Sequence, residues 1–239
     1  MTAELDSLHK RMLETFVQGL KDIYRDGLES VALYGSAASG EFSQKHSNIN
    51  LMVILNDTSL INLKKCAGLV NSKKFNMLNP VFFTESYINK SIDVFPIEFL
   101  DMKENYVLLY GKDFLKELTI NPKNLRFQCE QELKSKLINI KKAYLKSGEQ
   151  ELRGVIFKSF TSVMHILRNL VRLKGKDPVY LKEDCLNQVS REFNKELLNF
   201  KKILEAKKKD LKLNYAELDS LATGFVEDLE DLVNIVDEL

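Results

Sequence analysis

Cysteine is scarce in this chain. Cys66, Cys129 and Cys185 are the only three in 239 residues, and they lie far apart. With no CxxC and no metal-ligand spacing, the pattern excludes a disulfide-stapled scaffold and a cysteine-based zinc site. It predicts reduced thiols in a cytoplasmic protein. An excess of one charge sign is also missing. The 35 Lys and Arg nearly cancel the 34 Asp and Glu, so a net charge of +1 gives no global pull toward nucleic acid or an acidic surface. No apolar run approaches the ~18 residues of a membrane helix, so no membrane partner is expected. The first residues, MTAELDSLHKRM, are charged and hold no apolar signal core. Repeats and low-complexity segments are absent. What the chain does have is 44% apolar residues, enough for a sizeable core in one large or two small domains.

Hydrophobic periodicity changes character along the chain. Residues 3–24 read as an amphipathic helix through Leu5, Leu8, Met12, Phe16, Leu20 and Ile23, stopped by Asp26-Gly27. Residues 31–34 and 49–55 read as buried strands. Asn56-Asp57-Thr58 caps a helix running to about Val70. Residues 75–83 read as a third strand, Thr84 opens a short helix, and residues 94–101 read as a fourth strand with Pro96 at an edge or start. Strands alternating with helices predict an α+β domain, a mixed sheet covered by helices. After about Leu118, strand-like alternation disappears and Gly and Pro become rare. Asn121-Pro122 reads as a hinge. Helices over 125–145, 151–174, 181–193, 196–209 and 215–239 predict an all-α antiparallel bundle. The expected division is residues 1–118 and 119–239.

The chemistry-bearing stretch is residues 33–55, LYGSAASGEFSQKHSNINLMVIL. A strand runs into Gly35-Ser36, a small-residue turn follows, and a second strand opens with Asn48 and Asn50. Two positions apart on a strand, these asparagines share one face. Gly35 lets backbone approach a phosphate closely, and Ser36 offers a hydroxyl and an amide. Read without any ligand role, the asparagines make Asx-type hydrogen bonds at a strand start.

Gly35, Ser36, Gly40 and Phe42, followed by Ser47-Asn48-Ile49-Asn50-Leu51, resemble the nucleotidyltransferase superfamily, the fold of DNA polymerase beta and kanamycin nucleotidyltransferase. That family carries Gly-Ser, about a dozen residues, then Asp-x-Asp opening a strand. Here Asn-x-Asn replaces it. The resemblance implies a residual nucleotide-binding role for Gly35 and Ser36. It also implies a site of three carboxylates holding two Mg²⁺ ions around a nucleoside triphosphate, with the third carboxylate falling on Glu98 or, as a weaker candidate, Asp101. The segment 95–113, FPIEFLDMKENYVLLYGKD, resembles the strand that carries that third acid. Losing two of three site charges predicts that the catalytic positions Asn48 and Asn50 no longer function and that no metal is held.

The expectation is a cytoplasmic, two-domain pseudoenzyme with a binding or regulatory role and no cofactor. Two alternatives stand beside it. One is an active transferase, with Mg²⁺ and a nucleoside triphosphate, that moves a nucleoside monophosphate to a hydroxyl of a small molecule or protein. The other is a structural subunit of a nucleotidyltransferase/helical-domain complex. The resemblance implies a homodimer or a paired subunit; a nucleic-acid partner is not expected. His165, among Val163, Met164 and Ile166, reads as a core or half-buried histidine, and His46 as a loop residue. Lys207-Lys208-Lys209 is expected to pair with the eight acids of residues 215–239, which hold no Lys or Arg.

Overall fold

The computed structural model describes residues 6–39, 48–146 and 148–239. Gly40, Phe42, His46 and Ser47 lie outside the described residues. Two compact units divide the chain, Met1–Ile120 and Asn121–Leu239.

The first unit begins with α1, Ser7–Tyr24. The Asp6 side chain caps it by accepting the His9 backbone N–H at 2.9 Å. Strand β1 follows at Leu28–Tyr34, then the four-residue helix α2 at Ser36–Ser39 and strand β2 at Ile49–Leu55. Two short helices, α3 Leu60–Lys64 and α4 Ala67–Val70, replace the single helix expected there. The Ser59 side chain caps α3, and the chain breaks its helical course at Lys65-Cys66. Strand β3 is Leu78–Phe83, shorter than expected, because residues Lys73–Phe75 form a 3-10 turn. Helix α5, Glu85–Ser91, starts at Thr84, whose hydroxyl accepts the Tyr87 N–H at 3.0 Å.

Residues expected as the fourth strand form helix α6, Pro96–Glu104. Pro96 occupies the first turn, where its missing N–H costs nothing and its fixed φ suits a helix. Phe99 and Met102, three apart, are buried on one helix face, whereas a strand would have put them on opposite faces. The fourth strand is β4, Tyr106–Gly111, followed by α7, Phe114–Glu117.

The sheet order is β3-β2-β1-β4, with β1 antiparallel to both β2 and β4, and β2 parallel to β3. Alternation sorts the strands into two apolar faces. Val31, Leu33, Ile49, Leu51, Val53 and Leu55 join Leu13, Phe16 and Leu20 of α1, and Phe16 meets Phe75 edge-on at 5.2 Å. On the other face, Ala32, Met52 and Ile54 pack with Ile88, Phe99, Met102, Phe114 and Leu115.

The second unit is helical: α8 Pro122–Lys146, α9 Glu149–Leu173, α10 Lys182–Glu192, α11 Leu198–Lys208 and α12 Tyr215–Asp237. Helices α8 and α9 pack together, α12 lies on α8, and α10 lies on α9. Phe200 of α11 is fully buried, its ring 4.8 Å from Phe225 and 5.9 Å from Phe160.

The structure departs from one expectation of charge and one of burial. The lysine run does not pair with α12. Lys207 donates to the Phe157 carbonyl at 3.0 Å and the Thr161 hydroxyl at 2.7 Å, Lys208 pairs with Glu183 at 2.8 Å, and Lys209 pairs with Glu205 at 2.6 Å. The acids of α12 are met by other cations: Lys134 at Asp237, Lys141 at Glu230 and Lys195 at Asp231. The second correction is His165, whose side chain is exposed on α9. No described helix is long and apolar enough to cross a membrane.

Candidate functional site

The end of β1 and the start of β2 lie side by side because the antiparallel register pairs Tyr34 with Asn50. Gly35 follows directly, with φ +75. An L side chain there would be strained, and a Cβ would sit 3.4 Å from the Asn50 amide nitrogen. The Gly35 carbonyl accepts the Ala38 N–H at 2.8 Å, which tightens the turn into α2. Its own N–H is given to the Asn105 carbonyl at 3.1 Å, so that donor serves the fold. Ser36 opens α2; its side chain is outside the described set.

Asn48 is exposed just before β2, and Asn50 is half-buried as its second residue. Parallel register sets Asn50 beside Asn79 of β3, and the Asn79 amide donates to Asn50 Oδ1 at 3.0 Å. One rung therefore crosses the whole sheet: Asn79, Asn50, Tyr34, Tyr106. It lies on the face that continues into Met52 and Ile54. Every member is uncharged at neutral pH. Burial pushes the Tyr34 hydroxyl above its usual range. Burial, and then its bonds to Asp113, raise Tyr106 to about 12. The Tyr106 hydroxyl donates to the Asp113 carboxylate, whose oxygens lie 2.9 and 3.0 Å away, and Asp113 also caps α7 by accepting the Lys116 N–H at 3.1 Å.

Glu98 and Asp101 were expected on a neighbouring strand. Both stand on α6, with Glu98 exposed in its first turn and Asp101 half-buried. The strand alternation that was to align them with Asn48 and Asn50 therefore does not apply. The side chain that the sheet does place beside Asn50 is Asn79, which the sequence reading missed. Residue 79 lies inside the strand expected over 75–83, but no local signal shows that this strand pairs with β2 in the register that sets Asn79 beside Asn50. Tyr106 was missed with β4.

The arrangement can hold a ligand by amide and hydroxyl hydrogen bonds. It does not fit a pair of Mg²⁺ ions. Two-metal phosphoryl sites need anionic oxygens, whereas Asn48, Asn50 and Asn79 are neutral and the Asn50 carbonyl oxygen is already engaged. Among the described residues, no three His, Cys, Asp or Glu side chains converge as a metal-holding group.

A scan against known protein families finds no match, and no curated protein matches by sequence. Solved structures do match. Spectinomycin adenyltransferase AAD(9) from Enterococcus faecialis, solved with ATP and spectinomycin, superposes with a TM-score of 0.59 at 12% identity, over 92% of this chain and 99% of that one. A nucleotidyltransferase-like protein from Exiguobacterium sibiricum 255-15 aligns with a TM-score of 0.37 at 14% identity, over 93% of this chain and 74% of that one. At such identities the likeness concerns the backbone, and the chain has a nucleotidyltransferase-like fold with a helical C-terminal region.

Proposed function

We propose that this chain is a catalytically impaired nucleotidyltransferase-like protein that works by binding, in a regulatory role, and not by nucleotidyl transfer. The observation that carries the reading is the amide pair Asn50–Asn79, neutral and bonded to itself at 3.0 Å, with neutral Asn48 beside it. In the related folds that part of the sheet is where carboxylates would hold metal. The adenyltransferase AAD(9), described with ATP and spectinomycin, supplies the frame for comparison.

A unit negative charge against Mg²⁺ at ~3 Å is worth roughly 10 kcal/mol gross at an effective dielectric of 20. Hydration of the ion cancels much of that. A net loss of only ~4 kcal/mol in transition-state stabilisation is already about a thousandfold in rate. Removing the charge at Asn48 and again at Asn50 leaves little catalysis. Any nucleotide that the site takes is then held without metal.

The test is calorimetric titration of the purified protein with each nucleoside triphosphate, in Mg²⁺ and in chelator, alongside a pyrophosphate-release assay with Mg²⁺ and with Mn²⁺. The expected result is no release above a boiled control, and a nucleotide affinity that does not change when metal is removed. Metal-dependent turnover that is lost in Glu98→Gln would overturn the reading.

A further inference from the structure

Strand β4 ends the sheet. Among the described residues it pairs only with β1, so its outer row of backbone N–H and C=O groups is unmatched by any strand. Its sequence, YVLLYG, has no charge and no proline, the usual devices that blunt an edge. A groove of about 410 Å³ runs along it, between β4 and one stripe of α1. Leu13 and Val17 form its floor with Val107, Leu109 and Tyr110. On the opposite sheet face Leu108 is 38% exposed, so both faces of a strand added here would meet apolar surface.

Charge on the groove is arranged along its length. Lys10 and Lys21 line it, eleven residues apart on one helix, which is ~16 Å. Lys21 sits over the Tyr110 ring, its ammonium 4.8 Å from the centroid. Among the described residues neither lysine pairs with a carboxylate. Glu14 lies between them. A second copy docking β4 against β4 about a twofold would bring Lys10 of one copy toward Lys21 of the other, which disfavours self-pairing. An extended segment needs about five residues to span ~16 Å. Its acids would meet the two lysines, and its alternate apolar side chains would fill the floor.

We propose that the β4 edge is a strand-addition site for a partner protein, which contributes an extended segment of about six residues, apolar in the middle and acidic at both ends. Main-chain hydrogen bonds to β4 hold it, and Lys10 and Lys21 select it.

The probe is a fluorescein-labelled hexapeptide, Glu-Val-Thr-Val-Thr-Glu, followed by fluorescence anisotropy on the full chain. Three comparisons accompany it: the same peptide with lysine at both ends, two versions N-methylated on alternate backbone nitrogens, and the variant Lys10→Glu/Lys21→Glu. The acid-ended peptide should bind saturably, about fivefold or more tighter than the lysine-ended one, and the double variant should reverse that order. One N-methylated version should lose binding while the other keeps it, because only one edge of an added strand faces β4. No saturable binding would overturn the proposal, as would equal binding of both charge versions or indifference to both methylation patterns. A dimer in sedimentation that tightens in Lys10→Glu alone and loosens again in Lys10→Glu/Lys21→Glu would overturn it in favour of a second copy.

Discussion

Changing Asn48 and Asn50 to aspartate tests how deep the loss at the candidate site goes. The two replacements are nearly isosteric, so packing costs little. At position 50 the new carboxylate keeps an acceptor for the Asn79 amide, now 3.0 Å from Asn50 Oδ1, and that bond becomes charge-assisted. Asn50→Asp alone should therefore be close to neutral for stability. Adding Asn48→Asp puts a second charge two strand positions away, ~7 Å along the chain. Their repulsion is about 0.6 kcal/mol in bulk water and about 2.4 kcal/mol at an effective dielectric of 20. Because Asn48 is exposed, about 1 kcal/mol is the better figure, or a fall of about 2–4 °C in Tm for a chain of this size.

Repulsion also raises at least one of the new carboxyl pKa values. An acid with a raised folded pKa destabilises when ionised, so the deficit of the double variant should shrink as pH falls through that pKa. Mn²⁺ with a nucleoside triphosphate at about 100 times its Kd should return about 2.7 kcal/mol, more than the loss. The assay is thermal melting of wild type and double variant, with and without Mn²⁺ and nucleotide. A metal-dependent rise confined to the variant is expected. A rise in wild type larger with Mn²⁺ and nucleotide than with nucleotide in chelator would refute the argument that the asparagines exclude metal. No rise in either would refute the argument that the pocket lacks only its charges.

Three further perturbations probe the frame around the site. Gly111→Ala should be severe, because φ is +80 and the new Cβ would lie 2.0 Å from the Glu29 carbonyl oxygen; we expect a loss above about 2 kcal/mol in urea unfolding, with β4 detaching first in hydrogen exchange. Phe200→Ala empties a site enclosed by Phe160 and Phe225 and should cost about 3–5 kcal/mol by the same measurement. Asp228 is buried on α12, where it accepts the Asn199 N–H at 3.0 Å, and burial raises its pKa despite that bond. Its ionised form therefore weakens the fold, so stability relative to Asp228→Asn should rise as pH falls from 7 through the raised pKa and level off below about 4; a flat difference would show that the carboxylate is not penalised.

Which parts of this molecule could be read from the sequence follows from how local the governing physics is. The 49–55 strand was legible to the residue because its alternation and its apolar run are both local. The helices of the second half were legible within a few residues for the same reason: their stripes repeat over many turns. Segment 94–101 failed because FPIEFLD satisfies strand alternation and helical spacing at once, and the buried partners of Phe99 and Met102 decide between them. With that segment misread, Glu98 and Asp101 gained a strand position that they do not have, and β4 vanished from view.

The candidate site divides along the same line. Asn48 and Asn50 could be found because they lie on one strand, two residues apart. Asn79, Tyr34 and Tyr106 become their neighbours only through sheet register, and register is fixed by which strands pair. That dependence also adds a neutral neighbour that the Asn-x-Asn motif does not show. The motif accounts for two absent charges. The sheet brings a third asparagine against them and spends its amide on Asn50, and it spends the Gly35 N–H on Asn105. Two donors at this sheet end, the Asn79 amide and the Gly35 N–H, thus already have partners within the protein, and the double variant Asn48→Asp/Asn50→Asp measures whether restored charge alone is enough beside them.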